Sequence, residues 1–313
     1  MLNINWKKKA AIMRLFAVMP YGEKLYKYGQ KKVGRLRARP MARLPVQAEM
    51  IKWLFNAGRK VEGKSFFEVG TGHIPLVPIG FYLCGAARVI TVDLHRRIDW
   101  DLVRDSLLWI AEHREDVWQL YDNLVSKSIF NARFDLLTRF AFDPQYFFKE
   151  ANIDYMAPMN AADTGFPEDS IDYHFSVTTL EHISPQAIYD IFKEGRRVLK
   201  KEGIAIHFVD ISDHFQHQDS SITRINFLQY SENEWQRIAG NQFAYCNRLR
   251  SNDYLSLFEK LNFNVIRCEK NIDNELIELL QNNYLTLHSD FSSYCYEDIC
   301  ATSIRILLKK EIQ

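Results

Sequence analysis

The sequence predicts an α/β fold with a mostly parallel sheet, and three observations predict it. Apolar runs of strand length alternate with helix-length segments along most of the chain. One run, Ser65-Phe66-Phe67-Glu68-Val69, enters the turn Gly70-Thr71-Gly72, and a helix follows from Pro75. The next run, Arg88 to Val92, ends on Asp93, roughly 20 residues after the second glycine, where a carboxylate can accept hydrogen bonds from both hydroxyls of a ribose. Gly70 and Gly72 suit a tight strand-to-helix turn, and without Cβ atoms they let a ligand lie on the main chain. Pro75 suits the first turn of a helix whose free N–H donors face that ligand. The layout implies a nucleotide with a free 2′-hydroxyl.

The remaining elements follow in order. Pro45 to Lys60 reads as a helix leading into the first strand, Ser65 to Val69. Leu76 to Cys84 is the helix after the turn, with Gly85 as its stop, and Arg88 to Asp93 is the second strand. From Ile98 to about Phe142 the chain is rich in leucine, tryptophan and charge and reads as helical, longer than a simple crossover. Ile153 to Met156 and Ile171 to Ser176 are the third and fourth strands. Ser184-Pro185 opens a helix to Lys200, and Gly203 turns the chain into the fifth strand, Ile204 to Val209. Ser231-Glu232-Asn233-Glu234 is a capping box, Asp253 to Leu261 a helix, and Phe263 to Arg267 with Thr302 to Leu308 a pair of edge strands. The expected organisation is a basic helical extension over residues 1–60 and one domain over 61–313. Within that domain we expect a helical insertion at about 98–150 and a substrate or lid region at about 210–260.

Composition bounds the function. Lys and Arg number 40 against 39 Asp and Glu, and 47% of residues are hydrophobic, as in an ordinary water-soluble globular chain. The five cysteines form no C-x-x-C pair, which argues for reduced thiols and a cytoplasmic setting. No apolar run nears the roughly 20 residues needed to span a bilayer. Before Leu44, however, twelve bases from Lys7 to Arg43 face only Glu23. Interleaved Trp6, Ile12, Leu15 and Phe16 give this arm an apolar side, which suits packing on the main domain or, as the sharper alternative, peripheral contact with an anionic membrane. No nucleic-acid reader module is present. Nothing in the sequence fixes an oligomeric state.

Four stretches carry a family resemblance. Glu68-Val69-Gly70-Thr71-Gly72 resembles the first motif of class I S-adenosylmethionine-dependent methyltransferases. Asn160-Ala161-Ala162-Asp163 through Phe166-Pro167 to Ile171-Asp172 is similar to the D-A-x-x-L-P-F-P-D-x-S-F-D segment of its small-molecule branch, the type 11-like group. Leu180-Glu181-His182 and Arg196 to Gly203 resemble its L-E-H and R-V-L-K-P-G-G segments. The resemblance implies a Rossmann-like sheet with helices on both faces and S-adenosyl-L-methionine as cofactor. The residues expected to hold it are Glu68, Gly70, Thr71, Gly72, Asp93, Asn160, Ala161 and Ser176. Two departures stand out: Ile74 replaces a third glycine, and Asn160 replaces the acid that receives the adenine amino group, a bond its amide oxygen can still accept. A nicotinamide oxidoreductase is the alternative, weakened because Pro75 occupies the third place of G-x-G-x-x-G. A non-catalytic cofactor-binding relative is another.

Methyl transfer from a sulfonium is an in-line displacement that needs alignment above all and no metal intrinsically. An oxygen acceptor must also lose a proton, for which a histidine or carboxylate is suited. Glu181 and His182 follow the fourth strand, and Asp213 and His214 follow the fifth, both at the carboxyl edge where open α/β sheets bind ligands. These four are the catalytic candidates, weighed against a helix-start pair and a polar surface loop. The run from Asp210 to Asp219 lacks a diagnostic metal-ligand spacing, so no metal site is expected. The expected acceptor is a small molecule or a glycan precursor, methylated on oxygen. The glycan expectation comes from a likeness to methyltransferases of bacterial surface polysaccharides. Asn247 to Arg250 are read as part of a lid whose arginines grip an anion or, in the plainer reading, pair within the fold.

Overall fold

The computed structural model describes residues 5–311. Among these, seven strands form one sheet in the order β3-β2-β1-β4-β5-β7-β6, where β1 is Ser65–Val69, β2 Arg88–Val92, β3 Ile153–Met156, β4 Ile171–Val177, β5 Leu199–Asp210, β6 Phe263–Ile272 and β7 Ala301–Lys310. β1 pairs in parallel with β2 (Phe66 opposite Val89) and with β4 (Phe66 opposite Tyr173), and β2 pairs in parallel with β3. The order is that of a doubly wound sheet with one change: the last strand lies between the fifth and sixth. The sequence reading expected an added pair of edge strands, and the pair does lie together at one edge. Burial explains their order within it, because Ile304, Ile306, Leu307 and Leu308 of β7 are covered on both faces, as an inner strand requires, whereas Val265 and Ile266 of β6 are exposed.

The chain divides into two compact units. The first in sequence weight comprises Arg37–Val177, Asp190–His207 and Leu307–Gln313. Its helix α3, Leu44–Asn56, precedes β1, and α4, Leu76–Leu83, follows the glycine turn. Every residue of α4 is buried, which suits a helix that is apolar on all sides. Phe66 of β1 stacks on Phe81 at 4.2 Å and tilts against Tyr173 at 4.6 Å. The helical insertion consists of α5 Trp100–Glu112, α6 Arg114–Tyr121, α7 Lys127–Phe140 and α8 Pro144–Glu150. The sequence suggested a long segment; the chain breaks it at His113 and again where Asn123 takes a left-handed φ of 66° and Ser126 caps α7 through Ile129 N–H. Trp100 and Trp118 pack on Phe148 and Phe130, and Trp109 stacks on His113 at 3.9 Å, so these rings are structural.

The other unit gathers Met1–Leu36, Thr178–Tyr189 and Phe208–Ile306. It contains α1 Trp6–Val18, α2 Gly22–Lys32, α10 Glu232–Ala239, α11 Ser251–Lys260, α12 Asn274–Gln281 and the short α13 Tyr296–Ile299, while α9, Pro185–Val198, passes from one unit to the other. The capping box at Ser231 is formed in both directions with Glu234. Trp6, Ala10 and Met13 of α1 join a core with Phe215, Phe227, Leu228 and Trp235, and the Trp6 N–H donates to Asp219 at 2.7 Å. The basic arm therefore packs as the plainer reading expected. Its other side leaves Leu15, Val18 and Tyr28 exposed, and among the described residues no helix is long and apolar enough to cross a membrane.

Candidate functional site

The glycine turn is built as its sequence dictates. Gly70 and Gly72 have φ of 90° and 67°, where a side chain would be strained. A Cβ at Gly72 would meet no atom within 4 Å, so the space over the turn is open to a ligand. The helix begins one residue later than expected, at Leu76, with Pro75 in the cap position. Most of the turn's donors are already engaged: the N–H groups of Gly70 and Thr71 point to the Val92 carbonyl at 2.9 and 3.3 Å, and the Gly72 N–H donates to Asp93 Oδ2 at 2.9 Å. Asp93 is thereby fixed at the end of β2 with its second oxygen free of that bond, and burial, only partly offset by the Gly72 N–H, raises its pKa to about 6.

Glu68 sits beneath the turn. It is 4% exposed, accepts a hydrogen bond from Thr91 Oγ1, and Thr91 in turn lies 2.5 Å from Thr71 Oγ1. Burial lifts its pKa to about 8 against the opposing Thr91 bond. Asn160 is exposed and its Oδ1 already takes the Ala162 N–H at 3.0 Å, which fixes the amide and leaves one lone pair. Ala161 beside it is buried. Ser176 is fully buried, with its Oγ 2.8 Å from His207 Nδ1. His207 Nε2 lies 3.3 Å from His174 Nδ1, and burial drives both imidazoles toward the neutral form, His174 to a pKa of about 3.

The second candidate set comes together inside the other unit. Leu180–His182 is a single 3₁₀ turn that buries Glu181 and exposes His182. Asn247 grips this turn: its N–H donates to the Glu181 carbonyl at 2.9 Å, and its Nδ2 donates to the carbonyls of Leu180 at 2.8 Å and Ile183 at 2.9 Å. His182 Nδ1 lies 3.0 Å from the Tyr245 carbonyl, an acceptor only, so the neutral ring keeps its proton there and presents Nε2 as a lone pair. The His214 ring is 4.9 Å from His182 and 5.2 Å from His217, and its Nε2 is buried 3.6 Å from Asp210 Oδ2. Burial and the neighbouring His182 lower the His214 pKa to about 4. Asp213 accepts from the Phe215 N–H at 2.8 Å and from Asn226 Nδ2 at 3.0 Å, and burial raises its pKa to about 6.

These groups border a small cleft that opens to solvent. Its lining combines polar Lys9, His182, Asp213 and His214 with apolar Met13, Phe215, Phe227, Trp235 and Phe243. Lys9, which lies over the Phe215 ring at 5.2 Å, is brought to a pKa of about 8 by burial and by Arg35, against the opposing charge of Asp213. Sequence reasoning missed Lys9 and Asn247 as parts of a site; Lys9 looked like one base of a basic arm, and Asn247 like part of a lid. The arginines beside Asn247 grip no open space. Arg248 donates to the carbonyls of Phe227 and Tyr230 and pairs with Glu232 at 2.5 Å, and fully buried Arg250 donates to three carbonyls, of Ile211, Asp298 and Ala301.

Residues 141–207 match the family model for a methyltransferase domain. The match spans about a fifth of the chain. The match covers the Asn160 to Asp172 stretch, Leu180 to His182 and Arg196 to Gly203, while the glycine turn lies ahead of it, beyond the helical insertion. No curated protein matches the sequence. Similar solved structures include a SAM-dependent methyltransferase from Methanosarcina mazei (11% identity, 83% of this chain and 98% of that one, TM-score 0.46). Others are the geranyl diphosphate C-methyltransferase of Streptomyces coelicolor (11%, 84% and 78%, 0.45) and the (4+2)-cyclase SpnF (12%, 85% and 82%, 0.44). At such identities and scores they bear on neither substrate nor reaction. The open turn at Gly72, the carboxylate of Asp93 and the fixed Asn160 amide are the groups that the family resemblance would assign to the backbone-bound, ribose and adenine parts of S-adenosylmethionine.

Proposed function

We propose that this methyltransferase moves a methyl group from S-adenosylmethionine to an oxygen of a small hydroxylated molecule bound in the cleft lined by Lys9, His182, Asp213 and His214. The cleft carries the proposal: its lining sets a cation, a carboxylate and imidazoles beside aromatic and apolar faces. A sugar ring of a glycan precursor has that duality, with hydroxyls on its rim and C–H groups on its faces. The cofactor supplies an electrophilic methyl on a sulfonium. As the new oxygen–carbon bond forms, the sulfur–carbon bond breaks and its electron pair stays on sulfur. The acceptor's proton leaves toward the Glu181, His182 and His214 group, a contribution worth about 10² to 10⁴ in rate. Lys9 steers an anionic or electron-rich acceptor, and Asn247 holds the Glu181 turn in place.

Calorimetry is the first test: S-adenosylmethionine should bind, with Asp93→Ala weakening it, while NADH should give no heat. Binding of NADH without S-adenosylmethionine would overturn the reading. The acceptor follows from incubating protein and cofactor with a cell extract and searching for a metabolite that gains the mass of one methylene. A product methylated on carbon or nitrogen would reject oxygen as the acceptor atom.

A further inference from the structure

Outside its cofactor motifs the chain brings one carboxylate and two imidazoles to a single point. Glu181, His182 and His214 each offer a ligand atom, and these atoms lie within 4.8 Å of one another. From their geometry we propose that they form a site for a first-row transition-metal dication of the zinc, cobalt or manganese type. The donor set is two nitrogens and one carboxylate oxygen, which favours such ions over magnesium or calcium.

The surroundings are those of a built site. His182 is oriented by the Tyr245 carbonyl through Nδ1, which turns the Nε2 lone pair outward, the arrangement that metal-binding histidines adopt. The backbone of Glu181 is clamped by Asn247, so its carboxylate starts from a fixed turn. Asp210 Oδ2, 3.6 Å from His214 Nε2 and 3.5 Å from His217 Nε2, supplies a further anionic group at the flank. Around a tetrahedral zinc ion, donor atoms stand about 3.3 Å apart, from bonds of about 2.0–2.1 Å, so capture needs a contraction of about 1.5 Å at the widest pair. The exposed ring of His182 has the freedom to make it. Three protein ligands leave coordination positions for water or for an oxygen of a bound molecule, and His182 and His214 both line the cleft. The ion site stands on these residues alone; an ion there takes the lone pairs that would otherwise receive the acceptor's proton, so with the ion bound that proton would pass to the flanking Asp210, a use in methyl transfer that rests on the function proposed above.

The test uses the full chain and cobalt(II) alone, followed by visible absorbance and by calorimetry. One ion per chain should bind, with magnesium binding much more weakly. His182→Ala, His214→Ala and Glu181→Gln should each weaken cobalt binding by about tenfold or more, and His288→Ala, at an exposed pair away from the cluster, should bind as the parent does. Circular dichroism checks folding, and Glu181→Gln, which keeps the side-chain shape, remains informative if an alanine variant fails to fold. Cobalt binding that is absent, or unchanged in both Glu181→Gln and the double histidine variant, overturns the site. Cobalt bound at the cluster by a protein that methylates nothing would leave the ion site standing and remove the function.

Discussion

Two sets of histidines in this molecule have opposite surroundings. His174 and His207 lie in adjacent strands of one unit, fully buried among Phe67, Phe192 and each other, with Ser176 as the one hydroxyl at the pair. His182, His214 and His217 lie in the other unit with Glu181, Asp210 and Asp213 around them and a cleft at their side. The first set has no charged partner of opposite sign, so the only cheap state is a neutral ring used as a packing piece that carries a hydrogen bond. The second set has carboxylates within reach and an open face, so protons, ions and ligand oxygens can all be exchanged there. A histidine's role is set by what surrounds it.

Acid should act most strongly on the sealed pair, with His214, whose pKa burial also lowers to about 4, adding to the loss. For His174 and His207 the folded-state pKa lies below the unfolded value of 6.5. The unfolded chain therefore binds protons that the fold refuses: their stabilisation is intact above pH 6.5 and is lost as pH falls from there toward the folded value, about 3 for His174. The slope is about 1.4 kcal/mol per pH unit for each ring, a large share of the 5–15 kcal/mol of a typical domain. Denaturant melts between pH 7 and 4.5 should show this loss, and His174→Phe should flatten it. An equally steep curve in that variant would assign the acid sensitivity elsewhere.

On turnover the order reverses. His182→Ala or His214→Ala should lower methyl transfer by about 10² or more while S-adenosylmethionine affinity stays as it was, because the group acts on the acceptor. The measurement is initial rate at saturating cofactor beside calorimetry of cofactor binding. Unchanged rates in both variants would return these rings to a structural role and leave the two sets alike.

What the sequence revealed follows from distance along the chain. Glu68 to Gly72 and Asp93 were legible because a strand, a turn and the next strand lie close together in sequence, and each residue type has a local reason to be there. Asn160 and Ala161 were singled out by the family resemblance alone. The cluster of Glu181, His182 and His214 was named as candidates, yet its meeting point was not visible, since 33 residues separate His214 from Glu181 and the clamp, Asn247, comes from further still. Lys9 reaches the same cleft from the far N-terminus. The arginines follow the plainer of the two readings: with Arg250 fully buried, its donors had to find partners within the fold, and three carbonyls satisfy them. The place of β7 inside the sheet was likewise a matter of which strand is apolar on both faces, a property shared by several segments.

The smallest effect probes how tightly the sealed pair is packed. Gly195 on α9 faces the His174 ring so closely that an added Cβ would lie 3.2 Å from both Cε1 and Nε2. In an exposed helix, Gly→Ala gains about 1 kcal/mol from reduced backbone freedom. Here the methyl meets a ring confined by Phe67, Phe192 and His207, which cannot withdraw without disturbing its hydrogen bond to His207 and, through that ring, the bond between His207 and Ser176. Overpacking of this kind costs about 1–3 kcal/mol, so the net expectation for Gly195→Ala is a loss of about 1 kcal/mol, read as a lower denaturation midpoint at unchanged slope. The loss should shrink in a His174→Ala background, where the ring is gone. A Gly195→Ala chain more stable than the parent would mean that the ring has room to yield, and that the pair is held by its hydrogen bonds more than by its packing.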